Sequence, residues 1–110
     1  FFGDIPCARS LTADEINGEY EKNTGIVIAE TFEGKNPIYV PGVLCTNHGP
    51  SSWGADAAEA VHNAVVMEEV AKMAYRCEHL KKDIEEAPQV LQDKHFFRKH
   101  GENAYYGNDL

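Results

Sequence analysis

The segment 56–76 constrains the fold more than any other stretch of this chain. Val61, Val65, Met73 and Cys77, with Val66 and Val70 beside them, recur at helical spacing. The pattern predicts one amphipathic helix, with Glu59, Glu68, Glu69 and Lys72 on its polar side. Asp56 and Glu59 supply the start signal. The first can cap free backbone N–H groups, and the second, three residues on, can reach back to the cap.

Three further regions follow from local chemistry. Pro88 has the fixed φ of a good first helical residue, so a second helix is expected over 89–99, with Gly101 as its stop. Thr12 with Glu15 is another capping box, and Ile16 and Tyr20, four apart, suit a short helix with one buried edge. Asn23-Thr24-Gly25 reads as a turn. The run 26–32 is rich in β-branched residues between two glycines and is expected to be a strand. A polar turn over 33–37 follows. Residues 38–40 and 43–46 are strand-like, and Pro41-Gly42 between them marks an edge, a bulge or a gap. A short helix, two or three strands and two helices make an α/β fold, and 110 residues suffice for one small domain.

Composition removes several function classes. With 18 acidic against 10 basic residues the net charge is -8, which does not suit a phosphate backbone, so no nucleic-acid partner is expected. The clean apolar runs, 25–29 and 64–67, fall far short of the ~20 residues that span a bilayer, and the start Phe-Phe-Gly-Asp is not a signal peptide. No membrane role is expected. Cys7, Cys45 and Cys77 are odd in number and lack Cys-x-x-Cys spacing, which reads as reduced thiols in a cytoplasmic protein. A Phe at position 1 reads as a processed chain, a fragment, or numbering that starts inside a longer protein.

Five histidines could carry chemistry. His62 flanks the long helix, His79 sits among charges, and His95 and His100 lie near the end of the last helix, where a positive charge suits the dipole. Each has an ordinary structural reading. His48 differs. It stands in Thr-Asn-His-Gly-Pro-Ser-Ser-Trp-Gly (46–54), after a strand and before a helix entry, where loops commonly carry ligands. No second His or carboxylate follows at ligand spacing, and one imidazole does not make a zinc site. Tyr105-Tyr106 in the tail reads locally as a docking pair, or as a phenol used for proton transfer.

The wording of the chain resembles the class II aldolase/adducin family, and within it the L-ribulose-5-phosphate 4-epimerase type. The resemblance runs through Gly-Asp-Ile-Pro-Cys (3–7), Glu-Ile-Asn-Gly-Glu-Tyr-Glu (15–21), Pro-Gly-Val-Leu (41–44) and His-Gly-Pro (48–50). It continues through Ala-Val-His-Asn-Ala-Val-Val (60–66) and Asp-Lys-His-Phe-Phe-Arg-Lys-His-Gly (93–101) into Ala-Tyr-Tyr-Gly (104–107). His-Gly-Pro is shared with aldolases, whereas the closing Lys-His-Gly and Ala-Tyr-Tyr-Gly are much more specific to the epimerases. Ser51-Ser52 replaces a bulkier pair, Asn47 stands where Ser is common, and Asn108-Asp109-Leu110 runs past the usual tail.

The resemblance implies a three-layer α/β/α sandwich with a mainly antiparallel sheet, of which 1–110 is the C-terminal portion. It implies a catalytic Zn2+ with His48 as its third protein ligand, the His-x-His pair and a catalytic Asp belonging to an N-terminal half. It implies Tyr106 as an acid–base phenol, with Glu21 and His95 as polar active-site residues. The reaction implied is C4 epimerisation of a sugar phosphate, L-ribulose 5-phosphate to D-xylulose 5-phosphate, by retro-aldol cleavage and re-addition, in a homo-oligomer, a tetramer by family. Two readings compete: a class II aldolase that cleaves and releases, sharing His48, and a non-catalytic adducin-like module. The epimerase-type tail argues against the first; His48 together with Tyr106 argues against the second, and the absent N-terminal half argues for it.

Overall fold

A computed structural model describes residues 1–105. The chain forms β1 (Cys7–Ala8), α1 (Ala13–Asn17), α2 (Tyr20–Thr31), β2 (Gly42–Cys45), β3 (Gly49–Ser52), α3 (Ala57–Leu80) and α4 (Gln89–Phe97). β2 is the centre of a three-stranded sheet. It pairs in parallel with β1, Cys7 facing Leu44, and antiparallel with β3, Val43 facing Ser51 and Cys45 facing Gly49.

The alternation along β2 sends its residues to two different helices. Val43 and Cys45 are buried with Ala8 and with Val27 of α2, and Leu11, Ile28, Phe32 and Trp53 close around them. Gly42 belongs to the opposite face, under buried Met67 of α3. Ser52, directly across from Gly42, ties its hydroxyl to the Ala60 carbonyl of α3 at 2.8 Å. Helices therefore cover both faces of a small mixed sheet, and the fold is α/β.

The long helix starts where expected. Asp56 accepts from the Glu59 N–H at 2.8 Å, and the Glu59 carboxylate in turn accepts from the Ala55 N–H. It runs four residues further than the periodic segment, to Leu80. α1 carries the complete capping box, with the Thr12 hydroxyl accepting from Glu15 N–H and Glu15 accepting from Thr12 N–H. It buries no residue, so the expected buried edge at Ile16 and Tyr20 is not there: Gly18 ends α1 and Tyr20 opens a new helix. α4 begins directly after Pro88, and Gly101 takes a φ of 99° beyond its end.

The expected strand over 26–32 is instead the second half of α2, and the turn at 23–25 lies inside the same helix. The side-chain pattern explains the difference. Tyr20, Thr24, Val27 and Ile28 stand at i, i+4, i+7 and i+8, which is one side of a helix. Thr24 and Thr31 bond their hydroxyls to the carbonyls four residues back, both at 2.8 Å. β propensity yields to such packing because it measures fit to a surface more than a backbone preference. The strand-like 38–40 is also not a strand. Asn36 folds it into a turn, its side chain accepting from Ile38 N–H and its carbonyl from Tyr39 and Val40 N–H. β1 and β3 were not foreseen.

Candidate functional site

β2 and β3 form a hairpin whose loop is the three residues Thr46-Asn47-His48. His48 therefore sits in a hairpin turn, with a strand rather than a helix directly after it. The loop is pinned at several points. The His48 N–H donates to the Cys45 carbonyl at 3.0 Å. The Thr46 hydroxyl donates to the Ala8 carbonyl at 2.6 Å, tying the turn to β1. Asn47 takes a left-handed φ of 60° and Gly49 a φ of 133°, the residue types that tolerate such angles in a three-residue hairpin.

The turn overhangs a cleft of about 460 Å³ between the end of the sheet and α2. Tyr20 and Thr24 come from α2, Ser10 and Leu11 from the β1–α1 connection, and Thr46 and His48 from the hairpin. The Tyr20 hydroxyl lies 3.1 Å from His48 Nδ1, and the two rings are nearly parallel, 20° apart. At the rim Arg9 holds Glu15 through two nitrogens, at 2.9 and 3.1 Å, and reaches Glu30 at 3.1 Å. The Arg9 guanidinium, with the Thr12 amide after it, holds the Glu15 carboxyl down to about 2. Arg9 itself is raised above its ordinary value, first by the Glu15 hydrogen bond and then by that to Glu30.

The other expected site residues lie apart from this cleft. Glu21 is exposed in the first turn of α2 and is not part of the cleft wall. His95 is exposed on α4 and lines a different hollow, beside Phe2 and Phe96. Tyr106 lies outside the described residues. Tyr20, expected on a helix edge and not in a site, is the side chain that touches His48. Nothing in the sequence links positions 20 and 48; the only signal was the helical spacing of Tyr20, Thr24, Val27 and Ile28.

His48 has the form of one ligand: an exposed imidazole on a rigid turn, with one ring nitrogen held by a neighbour, as metal-binding histidines commonly are. Among the described residues no group of three or more His, Cys, Asp or Glu side chains stands close enough to hold an ion. The described residues thus supply one donor, and a tetrahedral or catalytic zinc site needs three or four. No described helix is long and apolar enough to cross a membrane.

The model of the class II aldolase and adducin N-terminal domain matches residues 1–75, from the first residue through the hairpin, the cleft and most of α3. The match covers more than half of the chain, which therefore belongs to the class II aldolase/adducin family.

Proposed function

We propose that this chain is the C-terminal portion of a zinc-dependent sugar-phosphate 4-epimerase, which interconverts L-ribulose 5-phosphate and D-xylulose 5-phosphate. Enzymes of this family include lyases and epimerases, so a retro-aldol step is within its chemistry. The observation that carries the reading is His48, held on a pinned hairpin turn over a cleft, in a chain of this family. The resemblance of 93–107 to epimerases favours the epimerase over the aldolase.

C4 of the substrate bears a hydroxyl and no neighbouring carbonyl, so its hydrogen is not acidic. Cleavage of C3–C4 is the accessible route. The C4 hydroxyl loses its proton and becomes an aldehyde, and the C3–C4 electron pair stays on the other fragment as an enediolate. Re-addition to the opposite face of the aldehyde inverts C4 and consumes the proton again. Zinc held by His48 together with donors outside the described residues would supply Lewis-acid stabilisation of the developing negative charge. His48 offers the lone pair of a neutral ring nitrogen from the hairpin turn. Tyr106 takes and returns the C4 hydroxyl proton on one face. Glu21 and His95, which lie apart from the His48 cleft, orient substrate or relay protons.

The test follows product and metal together. The 110-residue chain alone is expected to bind zinc weakly in a calorimetric titration and to show no epimerase activity, because its described residues contribute one donor. Tight one-to-one zinc binding by the monomeric chain would contradict this. In the polypeptide that supplies the remaining donors, net release of glycolaldehyde phosphate and dihydroxyacetone would identify an aldolase instead of an epimerase.

A further inference from the structure

α3 carries an apolar seam that runs on past the sheet. Val66, Val70, Met73, Cys77 and Leu80 alternate steps of four and three, the spacing that keeps side chains on one line between two paired helices. The seam begins at half-buried Val66, which with Asn63 borders a hollow of about 830 Å³ walled by Trp53 and Phe96. Beyond it Val70 is 38%, Met73 54% and Leu80 87% exposed. We propose that this seam binds a second copy of the chain, α3 against α3, antiparallel about a two-fold axis between residues 71 and 72.

Charge selects this arrangement. Glu69 and Arg76 each stand one residue before a seam position, Val70 and Cys77, and so flank the contact on the same side. With Val70 opposite Met73 of the second copy, and Val66 opposite Cys77, Glu69 of each chain lies beside Arg76 of the other. The two-fold axis makes that ion pair twice. Sliding the pair by one heptad sets Arg76 against Arg76, and parallel pairing sets Arg76 beside Lys81. Both alternatives oppose like charges. The two groups are available: Arg76 is exposed and has no ion pair among the described residues, and Glu69 holds Lys72 through Oε1, leaving Oε2 for a guanidinium. The same register brings Leu80 of the second copy to Asn63, at the edge of the hollow. Asn63 is fixed there, its amide donating to the Trp53 carbonyl at 2.8 Å. The inference depends neither on His48 nor on the reaction.

The experiment is sedimentation equilibrium of the 110-residue chain from about 1 μM to 1 mM at low salt, where exposed ion pairs count most. A dimer is expected. Arg76→Glu and Glu69→Arg should each weaken it about tenfold or more, because two attractive contacts become repulsive. The double variant Glu69→Arg/Arg76→Glu should recover the parent affinity, and all three should keep the parent circular dichroism spectrum. A parent chain that stays monomeric overturns the inference and leaves the seam to a partner of different sequence. A dimer indifferent to either single change, or not recovered by the double exchange, overturns the antiparallel pairing.

Discussion

Glu15 serves two partners at once, and its acidity reports both. Its carboxylate accepts from Arg9 and from the Thr12 N–H, which lowers it from the ordinary 4.5 to about 2. The folded chain therefore binds this proton less readily than the unfolded chain does. The resulting stability is fully present above about 4.5 and is lost as pH falls through about 2. Urea titrations across that window should show a decline that Glu15→Gln flattens, and added salt should shrink the effect, since the Arg9 side chain is half-exposed. A slope unchanged in Glu15→Gln would remove the ion pair from the account. At the proposed catalytic phenol the scale is larger. In the catalytically complete protein, Tyr106→Phe should lower kcat about 10²–10⁴-fold while zinc content and KM stay nearly constant. Tyr105→Phe should be mild, because the Tyr105 ring is exposed, while its N–H donates to the Arg98 carbonyl. A larger loss in Tyr105→Phe would reassign the phenol.

Elements were legible in the sequence where one residue sets the backbone locally, by a capping side chain or by a fixed φ. Asp56, Thr12 and Pro88 each mark a helix start that the structure reproduces. The run 26–32 was misread because its residue types favour strands, while its spacing, counted from Tyr20, places Val27 and Ile28 on a helical face. β1 is two residues long and owes its existence to pairing with Leu44 and Cys45, more than thirty positions away, so no local pattern could reveal it. The Tyr20–His48 contact was hidden for the same reason. The sheet–α3 contact shows how little slack such distant pairings leave. A Cβ at Gly42 would strike the buried Met67 sulfur and crowd the Ser51 carbonyl. Gly42→Ala should cost about 1–3 kcal/mol by overpacking, measured by urea unfolding. A neutral result would mean that Met67 repacks freely.

At the scale of the whole molecule the core is small and one helix outreaches it. The radius of gyration is 16.2 Å, against roughly 13 Å for a compact domain of this size. α3 is longer than the core it packs on: its 24 residues span about 36 Å, and its buried residue, Met67, lies in its first half. Every residue from 68 to 80 is exposed. The apolar stripe that identified the helix is mostly outside the core, with Val65 57% and Met73 54% exposed, whereas Met67 is 4% exposed. Amphipathic spacing located the helix correctly and did not reveal which apolar residues this chain buries. A helix end without tertiary support is marginal in water. In the monomer, amide hydrogens over 71–80 should therefore exchange far faster than those over 60–67, and uniform protection along α3 would show the arm to be covered. Substitution separates the two halves further. Met67→Ala should cost about 2–5 kcal/mol through the cavity it leaves under the sheet. Val65→Lys should fall within about 0.5 kcal/mol, because the side chain is already in water. Sedimentation of the Val65→Lys chain beside the parent completes the measurement. If Val65→Lys proved as costly as Met67→Ala, or dissociated an assembly, the outer face of α3 would be a buried surface in solution, and the core of the folded unit would extend beyond one copy of these residues.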